Sequence, residues 1–219
     1  MFSPTLHIQN GQHLLLSPSR SIFWEETRAL ILSDLHLGKT GHFRKSGIAV
    51  PQQVYREDLQ RLVALLQWHQ PERLIIVGDL FHSFENKELD WFVKWRNDFP
   101  QLEIELVKGN HDILENEWYD RQGINLHAPY LDQGPFRFIH DQNDQNEPEA
   151  QPYTLSGHLH PGISLKGSGK QNLRFPCFYF GKQRGILPAF SAFTGTAAVT
   201  PERGDKVYAI VEQALVALS

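Results

Sequence analysis

Five short stretches carry side chains suited to chemistry: Asp34-Leu35-His36, Gly78-Asp79, Gly109-Asn110-His111-Asp112, His140, and Gly157-His158-Leu159-His160. Taken singly they are ordinary, since an Asp-x-His at a strand end is commonly a polar loop and a Gly-Asp after an apolar run is commonly a turn. Together, in this order, they supply carboxylate, imidazole and amide donors without a soft thiolate, a set that suits divalent Mn, Fe or Zn. Two such cations held about 3.5–4 Å apart need a carboxylate between them, and a pair of that kind serves hydrolysis at phosphorus.

The elements that must position these groups are legible around them. Residues 74–77 are a branched, apolar run that reads as a buried strand, residues 29–33 and 102–107 are strand-like runs of the same grammar, and each is followed by one of the polar groups. Between them, Tyr55, Leu59, Leu62, Val63 and Leu66 recur at helical spacing over residues 51–69. Leu89, Phe92, Val93 and Trp95 do the same over residues 84–99, which Pro100 closes. Strand, helix, strand, helix, strand predicts a parallel sheet, and ligands in such sheets sit beyond the carboxyl ends of the strands, where Asp34, Asp79 and Asn110 fall.

Ahead of this unit, residues 5–9 and 14–16 flank Asn10-Gly11, a pair that favours a tight hairpin, and residues 21–24 form another short strand. The second half changes character. Residues 136–139, 153–156, 173–180 and 206–211 are strand-like runs with no long helix between them, which predicts a second, more antiparallel or mixed sheet packed on the first. The expected class is α/β with mixed α+β character: two packed mixed sheets flanked by helices. Residues 141–152 hold no large apolar side chain and read as a surface loop. Gly167-Ser168-Gly169-Lys170 echoes a phosphate-binding loop, but its spacing does not match one, and a flexible turn is expected.

The 219 residues fit one compact domain, 1–219. Composition is that of a water-soluble globule, 41% hydrophobic and 21% charged, with no apolar run of bilayer length. A single cysteine, Cys177, excludes an internal disulfide, and the first residues do not form a secretory signal; both fit a cytoplasmic protein. The net charge of −4 argues against general polyanion binding, yet two divalent cations would cancel it, and would do so at the site.

The ordered set Asp34-x-His36, Gly78-Asp79, Gly109-Asn110-His111, His140 and Gly157-His158-x-His160 resembles the calcineurin-like metallophosphoesterases. That resemblance implies their four-layer sandwich and two divalent metal ions, Mn²⁺ first with Fe, Zn or Mg as alternatives. Asp34, His36 and His160 would hold one ion, Asn110, His140 and His158 the other, and Asp79 both. Attack by a metal-bridging hydroxide would cleave the ester, with His111 protonating the leaving oxygen and Asp112 orienting His111.

Two further stretches, residues 34–51 and residues 173–195 with their Leu173-Arg174-Phe175-Pro176-Cys177 and Leu187-Pro188-Ala189-Phe190-Ser191, are similar to the bacterial ligase-associated DNA damage response phosphoesterases, the PdeM family. This implies a DNA-processing nuclease of DNA repair associated with an ATP-dependent DNA ligase and a helicase. Lys39, His42, Arg44 and Lys45 follow the first metal motif directly and are candidate contacts to DNA phosphates, and His82 lies three residues past Asp79. Three other readings stay open: a small-molecule phosphatase, a cyclic-nucleotide or nucleotide phosphodiesterase, and a binding scaffold without catalysis. Hydrolysis of a lipid-linked nucleotide is disfavoured, because 17 residues between His140 and His158 leave no length for an acyl-binding lid.

Overall fold

A computed structural model describes residues 3–37, 53–81, 87–144, 152–166 and 172–218. Lys39, His42, Arg44, Lys45, His82 and the 167–170 turn lie outside the described residues, as do residues 145–151 of the proposed surface loop. The rest of that loop includes a short 3-10 turn at Gln142–Asp144.

The first sheet contains β1 (Thr5–Gln9), β2 (Gln12–Ser17), β3 (Ser21–Trp24), β4 (Ala29–Leu32), β5 (Arg73–Val77), β6 (Glu103–Val107) and β7 (Ile124–His127), side by side in chain order. Asn10 and Gly11 make the expected turn, both with positive φ (50° and 75°), so that β1 and β2 pair up to Gln9 opposite Gln12. The sheet is antiparallel as far as β4 and parallel from β4 to β7. The parallel part is crossed over by α1 (Gln53–His69), α2 (Lys87–Asp98) and the shorter α3 (Asn116–Arg121).

The parallel strands send their two parities to different cores; β6 and β7 carry Glu103, Glu105, Asn125 and His127 on one face, whereas β4 and β5 are apolar on both from Ala29 to Leu32 and from Leu74 to Val77. Leu30, Leu32, Leu74, Ile76, Ile104 and Leu106 pack with Leu62, Leu65 and Leu66 of α1, Phe92 and Trp95 of α2 and Tyr119 of α3. Ala29, Ile31, Ile75, Val77 and Val107 face the other way, onto Phe136, Phe138, Leu155, Phe178 and Phe180. A strand buried on both faces loses its alternation, which is why β4 and β5 read as continuous apolar segments.

The second sheet consists of β8 (Tyr130–Gln133), β9 (Phe136–Ile139), β10 (Tyr153–Ser156), β11 (Pro161–Lys166), β12 (Asn172–Phe180), β13 (Arg184–Ile186), β14 (Ala197–Ala198), β15 (Lys206–Val211) and β16 (Ala214–Leu218). It is mixed: β9, β10 and β13 run parallel, whereas β12 pairs antiparallel with β11 along its first half and with β13 and β15 along its second. Two mixed sheets packed together with flanking helices are therefore present as expected. The helices described here all pack on the outer face of the first sheet.

The two sheets also meet at His7 of β1, which is 2% exposed, stacks on Phe180 at 3.9 Å and has Nδ1 3.1 Å from Tyr208 Oη. Burial, reinforced by the charge of Lys206, pushes this imidazole down to about 4, so it is neutral at physiological pH.

Candidate metal centre

Beyond the carboxyl ends of β4, β5, β6, β9 and β10, the chain leaves both sheets along one rim. Hydrogen bonds tie these exits together: Asp34 N–H to Gly78 O (3.1 Å), His36 N–H to Asp79 O (2.9 Å) and Gly157 N–H to His140 O (3.2 Å). Five of the ten non-glycine residues with positive φ among the described residues are Asp34, His36, Asp79, His158 and His160, at 48–64°. Such backbone costs on the order of 1 kcal/mol or more per residue and is held by its surroundings, a pattern concentrated at functional sites.

Asp79, 2% exposed, is the centre of the arrangement. Its Oδ2 lies 3.7 Å from His36 Nε2 and its Oδ1 lies 3.4 Å from His140 Nε2. Around the first oxygen, His36 Nε2 is 4.0 Å and His160 Nε2 3.2 Å from Asp34 Oδ1. Around the second, His140 Nε2 is 3.2 Å from both Asn110 Oδ1 and His158 Nδ1. The structure thus brings all seven sequence-predicted ligands into two adjoining sets. His111 stands beside them, its ring 5.4 Å from that of His36 and its ring nitrogen within 4.8 Å of donor atoms of His36 and Asp79.

The donors fit cations rather than one another. Asp34 is fully buried, its Oδ2 accepts the His158 N–H at 3.1 Å, and its Oδ1 has no hydrogen-bond partner although imidazole nitrogens surround it. A buried carboxylate oxygen without a donor is costly, and a divalent ion between Asp34, His36 and His160 removes that cost. His140 Nδ1 faces the Val77 carbonyl at 3.2 Å, which fixes the ring and leaves Nε2 as the ligand atom. Burial pushes Asp79 upward. The hydrogen bond and charge of His140, then the His111 N–H (2.9 Å) and the charge of His36, outweigh it and hold the carboxylate at about 2. Burial lowers His140, but Asp79 and Asp34 raise it to about 9, the counterpart of the same attraction.

The glycines of the motifs have a packing cause. A Cβ on Gly78 would lie 1.9 Å from His140 Nδ1, one on Gly109 2.2 Å from Asp79 Oδ1, and one on Gly157 2.7 Å from Asp34 Oδ2. Each glycine precedes one ligand and leaves room for another.

Asp112 departs from the expectation. Both of its hydrogen-bonded oxygens serve main-chain donors, Phe81 N–H at 3.1 Å and Gly109 N–H at 2.9 Å. It therefore clamps the exits of β5 and β6 instead of gripping the His111 ring. Burial pushes its carboxyl up to about 7, against those two N–H groups.

Two features were not read from the sequence. Asp141 Oδ2 lies 3.6 Å from His158 Nε2, and its position next to His140 was the one available signal. Beneath Asp34, residues 188–192 are stitched to the strand end by Phe190 N–H to Ser33 O (2.7 Å) and Ser191 N–H to Asp34 O (3.1 Å). The same segment is held from below by Arg20, Asp58 and Arg61. Arg20 Nη1 donates to Ser191 O at 2.7 Å, Arg61 donates to Phe190 O and to Asp58 at 2.8 Å, and Asp58 accepts the Ala192 N–H at 3.3 Å. Burial pushes Arg20 down to about 10, lowers Arg61 and raises Asp58. Apart from the i,i+3 pair Asp58 and Arg61, nothing in local spacing announces a cluster whose contacts to residues 188–192 are 129 to 171 residues apart.

Comparison with curated proteins gave no match. Among solved structures, the chain is similar to the Pseudomonas putida nuclease MPE, with 31% identity, a TM-score of 0.79, and coverage of 96% of this chain and 97% of that one. It overlaps more weakly with Yfce, a phosphoesterase from E. coli, at 13% identity, a TM-score of 0.45, and coverage of 87% and 97%. The profile of the calcineurin-like phosphoesterases matches residues 27–184, a span that contains every residue of the two ligand sets, and the chain belongs to that family.

Proposed function

We propose that this phosphoesterase is a nuclease of DNA repair that hydrolyses phosphodiester bonds with two divalent cations. The observation that carries the reading is Asp79, whose two oxygens face separate sets of candidate ligands. Asp34, His36 and His160 would hold one ion, and Asn110, His140 and His158 the other. Bound cations supply the charge that acidifies an attacking water and screens the phosphate. The chain does the rest. Positive-φ backbone and the Asp112 clamp fix the donors, Val77 O fixes the His140 ring, and His111 delivers a proton to the leaving oxygen. Nitrogen and oxygen donors favour Mn²⁺, Fe or Zn.

DNA as the substrate is supported by the likeness to the nuclease MPE over nearly the whole chain. Work beside an ATP-dependent DNA ligase and a helicase, in the cytoplasm, extends the resemblance of residues 34–51 and 173–195. The structure adds that no helix among the described residues is long and apolar enough to cross a membrane.

The test is to incubate purified protein and Mn²⁺ with labelled single-stranded, nicked and gapped DNA, and separately with bis-p-nitrophenyl phosphate. Cleavage of both is expected in the wild type and of neither in Asp79→Asn, which should also bind fewer than two metals. Cleavage of the small ester alone would replace DNA with a small substrate. An active Asp79→Asn protein with two full-occupancy metals would remove the bridging role.

A further inference from the structure

β11 leaves the metal centre directly after His160 and pairs with the first half of β12, Gly162 opposite Pro176 and Ser164 opposite Arg174. On its other side it pairs with β14, Pro161 opposite Ala197 and Gly162 opposite Ala198. The Arg174 side chain folds back over this corner. A Cβ on Gly162 would lie 3.0 Å from Arg174 Cδ and 2.7 Å from Thr196 Cβ and Oγ1, so the missing side chain of Gly162 is the slot that seats the arginine stem against Thr196.

From that slot the guanidinium reaches the main chain beside His160. Arg174 Nη1 donates to Thr196 O at 3.3 Å, and the N–H of the same peptide unit, that of Ala197, donates to His160 O at 2.9 Å. One peptide group therefore separates the guanidinium from the main chain of a metal-binding histidine. Arg61, Arg73 and Arg137 are each spent on a carboxylate, whereas Arg174 is exposed and forms no ion pair among the described residues. A guanidinium offers five N–H donors in a rigid fork, and a single neutral carbonyl leaves most of them for a solvent-borne oxyanion.

We propose that Arg174 is an anion subsite beside the metal centre, which takes the phosphate next to the scissile one on a nucleic-acid strand. The inference rests on the phosphodiesterase reading above and deepens it. Gly162 and Thr196 anchor the stem so that the fork is presented in one direction, which suits bidentate capture of phosphate.

The test isolates the second phosphate from DNA itself. Thymidine 5′-(p-nitrophenyl phosphate) is compared with its 3′-phosphorylated form, and thymidine 3′-(p-nitrophenyl phosphate) with its 5′-phosphorylated form. In at least one pair the added phosphate should raise wild-type kcat/KM roughly tenfold, as expected of one charge-assisted contact. Arg174→Ala should erase that preference with unchanged bound metal and unchanged turnover of the esters lacking it, and Arg174→Lys should keep part of it. Equal preferences in wild type and Arg174→Ala, no preference in the wild type for either pair, or loss of metal from Arg174→Ala would each overturn the subsite. A wild-type enzyme that keeps the preference yet cuts no oligonucleotide would remove DNA as substrate and leave the subsite standing.

Discussion

Asp58→Ala should destabilise the protein by about 3–4 kcal/mol, because it strips the anion from a buried cationic cluster. Asp58 is 4% exposed and sits 2.8 Å from Arg61. At that distance the gross attraction is about 6 kcal/mol for an effective dielectric of about 20, much of which offsets the desolvation of both ions. Without the carboxylate, Arg61 keeps its bond to Phe190 O and its place over the Phe190 ring (4.3 Å), but it then faces the charge of Arg20 uncompensated. Its side chain is 21% exposed, which sets the loss toward the lower part of the roughly 3–5 kcal/mol range for breaking a buried pair. Removing both charges, as in Asp58→Leu with Arg61→Met, should recover at least about 2 kcal/mol of the sum of the single losses. Equilibrium urea unfolding of metal-free protein at neutral pH measures Asp58→Ala and the cycle of wild type, Asp58→Leu, Arg61→Met and the double variant. A loss below about 1 kcal/mol in Asp58→Ala, or additive losses in the double variant, would refute the view that this cluster holds residues 188–192 under Asp34.

His111→Ala should leave metal content unchanged and slow turnover by roughly 10²–10⁴-fold on alkyl esters, with a smaller loss on p-nitrophenyl esters, whose leaving group hardly needs a proton; equal losses on both would assign His111 another task. Gly78→Ala should lower metal occupancy and cost roughly 2–4 kcal/mol, since its Cβ would overlap His140 at a φ of 79°, and calorimetry with metal analysis reads both. His7 carries a pH prediction. Its folded value of about 4 lies below the ordinary 6.5, so the unfolded chain binds more protons between those values and stability falls as pH drops through that window, by about 3 kcal/mol at most. His7→Phe should flatten the wild-type pH dependence of the urea midpoint between about pH 6.5 and 4; an unchanged slope would show that His7 is not the group responsible.

The parallel strands were legible because Leu30 to Leu32 and Leu74 to Val77 are apolar at both parities and Ile104 and Leu106 keep one face of β6 apolar, and the long helices because Leu59, Leu62, Val63 and Leu66 recur on one side. β7 and β8 escaped notice because Asn125 and Asp132 dilute any pattern, β16 because Ala214–Leu218 is a short run without alternation, and β11 because it starts directly after the histidine motif. The short β13 and β14, and the six-residue α3, offer too few positions to show a period. The candidate metal ligands were legible since each follows a strand-like run that ends in glycine or a polar group. The true partners of Asp112 were not, because Phe81 and Gly109 take part through main-chain N–H groups that carry no residue signature. Arg174 escaped for a related reason: its placement depends on an absent side chain at Gly162 and on a carbonyl 22 residues away.

The first sheet is ordered β1 to β7 exactly as the chain runs, and this bears on how the molecule comes together. Each strand here pairs with the next one along the chain, so this half needs nothing from the residues after β7 and can form before the second sheet. Asp34, His36, Asp79 and Asn110 are set by it. His140, His158 and His160 arrive only with β9 and β10, after residue 135. A chain halted at β7 would hold Asp34, His36 and Asp79 of one candidate ligand set but only Asp79 and Asn110 of the other, and so would complete neither. Metal uptake should accordingly come late in refolding, after the amides of β4 to β6 are already protected from exchange, so that metal binding would mark the completed molecule.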